Sequence, residues 1–287
     1  MLAVFRRELK SYFTGLTGYV FIAAILLIGG FFTNYVVLRS GYPNFEYVLT
    51  NMAIIYVVAV PILTMSAMAG ERRNNTDKLL CSLPVRMMGV AAAKYLAMLV
   101  VLAVPVAVLG LYPILLSFYG TIYVKTALST LCGFYFLGAA LLALGLFLSS
   151  LTDNQMVAAM LSFAALLTLY LLSRIIGTIA SSAAASFGAL AVLSLIVTAV
   201  MWLLTRSAPV TAAVGIVLLG ASLAVYLAAP AALENALPAV VRQLSVFDRF
   251  AVFSGGAFDL TAIVYDASLS ALLVIFTGLS LEKRRWA

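Results

Sequence analysis

Residues 91–118 read AAAKYLAMLVVLAVPVAVLGLYPILLSF, and the 24 positions after Lys94 carry no charge. An apolar run of this length is about what an α-helix needs to cross the roughly 30 Å hydrocarbon core of a bilayer. In lipid every backbone N–H and C=O must be satisfied within the segment, so such a run is helical. Seven further stretches have the same character: 12–38, 48–69, 125–150, 155–174, 187–204, 209–229 and 261–281. Composition agrees, because 65% of the 287 residues are apolar and only 9% are charged, with a mean hydropathy of +1.15. A soluble domain carries about 25% charged residues to face water. The expected class is an all-α membrane protein, a polytopic bundle of about eight transmembrane helices forming one domain over 1–287. The pair at 187–229 reads either as two full spans or as a hairpin that dips into the membrane.

Charge sets the orientation. With the N-terminus inside and an even number of crossings, Arg6, Arg7, Lys10, Arg72, Arg73, Lys78, Arg86, Lys94, Arg206, Lys283, Arg284 and Arg285 fall in the cytoplasm. Arg39, Lys125, Arg174, Arg242 and Arg249 fall outside, which is twelve against five. The positive-inside rule counts Lys and Arg only and favours this topology, with both termini cytoplasmic in a multi-pass plasma-membrane protein. The net charge of +7 is spread between apolar stretches rather than gathered in a patch, so nucleic acid is not an expected partner and membrane lipid is. Three segments do not span. Residues 1–11 (MLAVFRRELKS) alternate apolar and basic residues at helical spacing, like a helix lying in the interface. Residues 70–90 form the longest cytoplasmic loop, and 230–260 form an external loop whose apolar pairs predict short helices folded back on the membrane. Lys94 and Lys125, at span starts, read as anchors that extend to the interface. Gly29, Gly30, Gly110 and Pro105 mark kinks or close helix contacts.

Motifs for chemistry are lacking. There is no GxxxxGK[ST], HExxH, CxxC or GxSxG, and no histidine, so neither a phosphate-binding loop nor a metalloprotease or hydrolase centre is written here. Cys81 and Cys132 fall in a cytoplasmic loop and inside a helix, which does not suggest a disulfide. No metal site and no catalytic residue is expected. An ion-coupled secondary transporter places ionisable groups near mid-membrane, and the only acid well inside an apolar stretch is Asp266. It reads either as a proton or cation site or, the favoured expectation, as a side chain that reaches the outer interface beside Tyr265. A pump without buried ionisable groups takes its energy from elsewhere, which points to a separate motor.

The loop of the second and third spans runs Glu71-Arg72-Arg73-Asn74-Asn75-Thr76-Asp77-Lys78-Leu79-Leu80-Cys81-Ser82-Leu83-Pro84-Val85. It resembles the first cytoplasmic loop of the ABC-2 permease family. Glu71, Arg72, Thr76, Leu79, Leu80, Leu83, Pro84 and Val85 match, while Asn75 stands where glycine is usual and Lys78 where glutamate is usual. Asparagine tolerates left-handed backbone nearly as glycine does; the second departure reverses a charge. Leu244-Ser245-Val246-Phe247-Asp248-Arg249-Phe250, Phe253-Ser254, Gly256, Phe258-Asp259-Leu260 and Glu282-Lys283-Arg284-Arg285-Trp286 resemble the gliding-motility (GldF-like) branch.

The resemblance implies an ABC-2 (ABCG-like exporter) permease fold with an interfacial N-terminal helix, and a transport subunit that is not an enzyme by itself. Two permease chains, a homodimer or a pair with a related permease, would sit on cytoplasmic ABC ATPase subunits. ATP and Mg would be bound by that ATPase and no cofactor by this chain. Glu71, Arg72, Arg73, Thr76, Leu79, Leu80, Leu83 and Pro84 would form the coupling segment. The residues suit it, because Leu79, Leu80 and Leu83 make an apolar stripe for a groove and Pro84 stops the helix. Six spans are usual in the family, which makes 187–229 an extra helix pair that adapts the permease to its substrate or to an auxiliary subunit. With almost no charge at membrane depth, the expected path is apolar and aromatic, at a dimer interface, with Phe31, Tyr56 and Phe134 as candidates and an amphiphilic or hydrophobic substrate.

Overall fold

The computed structural model describes residues 2–41, 44–73, 86–120, 123–175, 245–256 and 258–285, and singly Ser194, Thr198, Gly215 and Gly220. The chain forms two compact units, Met1–Tyr170 with Val246–Ala287, and Leu171–Ser245. Every element among the described residues is helical. We number the helices α1 (Leu2–Thr14), α2 (Leu16–Thr33, continued by a wider turn over Asn34–Arg39), α3 (Glu46–Met52), α4 (Ile55–Thr64) and α5 (Ala69–Arg73). They continue with α6 (Met87–Leu116), α7 (Val124–Leu151), α8 (Gln155–Ile175), α9 (Val246–Ser254) and α10 (Leu260–Arg285).

Among the described residues six segments are long and apolar enough to cross a membrane: Leu16–Arg39, Ile55–Arg72, Met87–Leu116, Val124–Leu151, Gln155–Arg174 and Leu260–Lys283. Their outer faces carry large apolar side chains such as Leu27, Phe31, Met156 and Met160, each at least 61% exposed. Water would not tolerate such a surface and lipid does. The remaining pair expected at 187–229 lies outside the described residues apart from the four single positions. In that unit the Thr198 hydroxyl donates to the Ser194 carbonyl at 2.6 Å, and a Cβ on Gly215 would lie 3.1 Å from Thr198.

α1 is amphipathic for a legible reason. Phe5, Leu9, Tyr12 and Phe13, spaced i, i+4, i+7 and i+8, pack on the core, while Arg6 and Lys10 are exposed. The helix ends where Gly15 turns to extended backbone. Gly18 lets the chain fold tightly at this corner, because a Cβ there would sit 2.4 Å from the Tyr12 carbonyl oxygen.

The second span is not one rod. α3, α4 and α5 are joined by turns at 53–54 and 65–68. Pro61 lies inside α4 and removes one backbone donor; the helix lapses four residues later. The freed groups are met by neighbouring helices. Ser149 of α7 accepts from the Met68 and Ala69 amides, both at 3.3 Å, and Lys94 of α6 donates to the Ala67 carbonyl at 2.8 Å.

α7 is the central helix, packed against α4, α6, α9 and α10. Its glycines admit α4: a Cβ on Gly138 would come 2.7 Å from the Tyr56 hydroxyl, and one on Gly145 would come 2.6 Å from Thr64 Oγ1. Small residues permit this approach in a membrane, where packing rather than hydrophobic expulsion joins helices. Gly138→Ala should therefore overpack a fully buried site and destabilise the bundle by about 1–3 kcal/mol, seen as a lower Tm in detergent; an unchanged Tm would mean that Tyr56 moves freely. At the end of the bundle away from the termini, α9 buries Val246, Phe247, Phe250 and Phe253 against α7 and α3. This is a short, packed helix within the segment expected to contain such helices. Asp259 immediately precedes α10, and its carboxylate accepts from the Thr261 amide at 2.8 Å and is held below the ordinary carboxylate range chiefly by hydrogen bonds from Thr261.

Candidate functional site

Charged side chains of α1, α5 and α6 meet beside Arg73, the last described residue before 74–85. Arg7 Nη2 lies 2.8 Å from Glu8 Oε1 and 2.6 Å from Glu71 Oε1. Lys94 Nζ lies 3.1 Å from Glu8 Oε1 and 3.0 Å from Glu71 Oε1. Two cations thus face two carboxylates across three elements: α1, α5 and α6. The Lys94 side chain is 1% exposed, and those of Glu8 and Glu71 are 11% and 18% exposed. Beside them Arg72 Nη1 donates to the Thr152 carbonyl at 2.9 Å and pairs with Asp153 at 3.4 Å. The root of the loop is therefore tied to the α7–α8 turn as well.

The burial decides what this network does. An exposed pair contributes about 0–1 kcal/mol, and Arg7, half exposed, belongs nearer that class. Lys94 does not: an ammonium taken out of water is tolerated only when carboxylates and a carbonyl satisfy all its donors, and here Glu8, Glu71 and Ala67 do so. The hydrogen bond with Glu8 and the two carboxylate charges raise the Arg7 guanidinium above its ordinary value despite partial burial. Burial first, then the charges of Glu8 and Glu71, hold the adjacent Tyr12 hydroxyl well above the usual phenol range. The arrangement holds no nucleophile–base pair. What it can do is mechanical, making α1, the end of the second span and the first turns of α6 move as one piece. A cleft of about 780 Å³ lined by Met65, Asp153, Asn154, Gln155, Met156 and Ala159 opens beside it.

The sequence-predicted residues are distributed as follows. Glu71 and Arg72 are in the network; Arg73 ends α5. Thr76, Leu79, Leu80, Leu83 and Pro84 lie outside the described residues. Tyr56 and Phe134 are fully buried and stacked on each other, ring centroids 4.5 Å apart at 28°, with the Tyr56 hydroxyl donating to the Phe134 carbonyl at 3.0 Å. Phe31 is 61% exposed. The three do not share one surface, and a route past Tyr56 and Phe134 requires the α4–α7 packing to open.

Two expectations are corrected. Lys94 is no interfacial anchor. It stands seven residues inside α6, about 10 Å along the helix axis, and turns inward to the carboxylates. Asp266 does not reach the outer interface beside Tyr265; it is 2% exposed. The sequence reading also missed Glu8 and Arg7. The available signal was Glu8 itself, the one acid in an otherwise basic amphipathic segment. Among the described residues no group of three or more His, Cys, Asp or Glu side chains is placed to hold a metal ion. No family profile, curated protein or solved structure matches this chain.

Proposed function

We propose that this chain is the membrane-spanning permease subunit of an ATP-driven exporter of the ABC-2 type, in the plasma membrane with both termini in the cytoplasm. The observation that carries the reading is the anchored root of the loop 74–85. Glu71 and Arg72, which match the family's loop, are bound into α1, α6 and the α7–α8 turn through buried charge. A force applied to that loop by a cytoplasmic ATPase, with ATP and Mg on the ATPase, would pass to several helices at once. Leu79, Leu80 and Leu83 supply the apolar stripe that enters the ATPase groove, and a second permease chain completes the path. Purifying the full chain from native membranes in mild detergent should bring down a separate subunit with a phosphate-binding loop and ATP hydrolysis. A chain that purifies alone, with transport driven by an ion gradient after ATP depletion, overturns the reading. The ion-coupled transporter is the second reading, and the buried Asp266 is the observation that favours it.

The topology has its own test in a Cys81→Ser, Cys132→Ser background. An impermeant thiol reagent on intact cells should label Glu234→Cys and spare Asn74→Cys. The reverse pattern would invert the orientation.

A further inference from the structure

Among the described residues two acids are buried outside this ion network, Glu46 and Asp266, and of the two only Asp266 lies inside a helix long and apolar enough to cross a membrane. Asp266 lies about 9 Å past the start of α10, inside an apolar span, and its Oδ1 is buried with no hydrogen-bond partner among the described residues. An ionised carboxylate in that setting would carry a desolvation cost that no hydrogen bond to Oδ1 offsets, whereas the protonated acid is a small dipole. The groups around it are identifiable. From α6, Tyr95 faces Asp266 and Ser270, but its hydroxyl is given to the Ala139 carbonyl at 3.2 Å. From α7, Tyr135 stands near Tyr95 and gives its hydroxyl to the Leu99 carbonyl at 3.4 Å. The Ser270 hydroxyl is given to the Asp266 backbone carbonyl at 2.7 Å. Among the described residues the nearby cation is Arg249 of α9, preceded by Asp248; the Arg249 guanidinium lies 3.9 Å from the centre of the Tyr265 ring. One side of Asp266 is thus apolar helix packing, and the other leads past Tyr265 to a half-buried guanidinium.

We propose that Asp266 is a proton-binding site within the bundle, a carboxyl that holds its proton while α6, α7 and α10 are packed and yields it to water at the α9 end when that packing loosens. The O–H bond breaks, the proton passes to water, and the electron pair stays on the carboxylate, where Arg249 is the nearest cation. The site stands independently of the ATP-driven reading.

The test uses the full chain in lipid nanodiscs and dicyclohexylcarbodiimide, an apolar reagent that attacks protonated carboxyls, with the adduct mapped by peptide mass. The adduct should form on Asp266, persist in Asp266→Glu and vanish in Asp266→Asn. Its rate should fall about tenfold per pH unit once the site ionises. Labelling confined to other carboxyls, or an Asp266 adduct insensitive to pH until the bundle unfolds, overturns the proposal. Infrared spectroscopy covers the case in which the reagent does not enter. The protonated-carboxyl carbonyl band of the wild type should disappear in Asp266→Asn or, if that variant misfolds, shift in Asp266→Glu. A wild type without that band also overturns the site, and neither result depends on whether an ATPase binds.

Discussion

Lys94→Met should detach α1 from the bundle and destabilise the fold by about 3–5 kcal/mol, the usual cost of removing one partner from a buried charged network. The substitution keeps the length and apolar stem of the side chain but takes the ammonium away from Glu8 and Glu71. It also leaves the Ala67 carbonyl, freed at the break in the second span, without its donor. Hydrogen exchange should show faster opening of Leu2–Thr14 and Ala69–Arg73 than of the distant α9. The companion change separates charge from packing. Combining Lys94→Met with Glu8→Gln removes one charge of each sign, and should recover much of the loss, because replacing both members of a buried pair is far cheaper than removing one. A Lys94→Met protein as stable as the wild type, with α1 equally protected, would mean that the network is ornamental to the fold.

Leu79→Asp with Leu80→Asp should abolish association with the proposed ATPase while leaving insertion, yield and Tm unchanged. The sequence reading puts the stripe in a cytoplasmic segment, where two added carboxylates are expected to cost nothing in the membrane. In an apolar groove they cost at least about 2 kcal/mol at a central contact, roughly thirtyfold or more in affinity. Glu71→Gln makes a different prediction: the ATPase still binds, but hydrolysis is less tightly linked to transport, because the loop root is loosened rather than its docking face. Docking that survives the double aspartate change removes Leu79 and Leu80 from the interface.

Much of the fold was legible because hydropathy reports the bilayer requirement directly. The stretches 91–118, 125–150, 155–174 and 261–281 correspond to Met87–Leu116, Val124–Leu151, Gln155–Ile175 and Leu260–Arg285. The break in the second span was not legible at 48–69. Pro61 was its one local mark, and what stabilises the break, Ser149 and Lys94, comes from other helices. The site was half legible for a related reason. Glu71 and Arg72 stood out in a patterned loop, whereas Lys94 near a span start looks alike whether it extends to the interface or turns inward. Only the placement of Glu8 against it distinguishes the two. Asp266 posed the same ambiguity beside Tyr265, and burial resolved it inward. Tyr56 and Phe134 pose a related ambiguity, since an aromatic that lines a path and one that fills a helix contact look alike in sequence.

Contact between residues 74–85 and a separate ATPase, as proposed, can be trapped with a photoreactive side chain placed there. With Leu80 replaced by benzoylphenylalanine in the full chain in native membranes, illumination should give an adduct joining this chain to a protein that carries a phosphate-binding loop. The yield should drop when Leu79→Asp is added. An adduct formed only with lipid, or with another region of this same chain, would contradict the account.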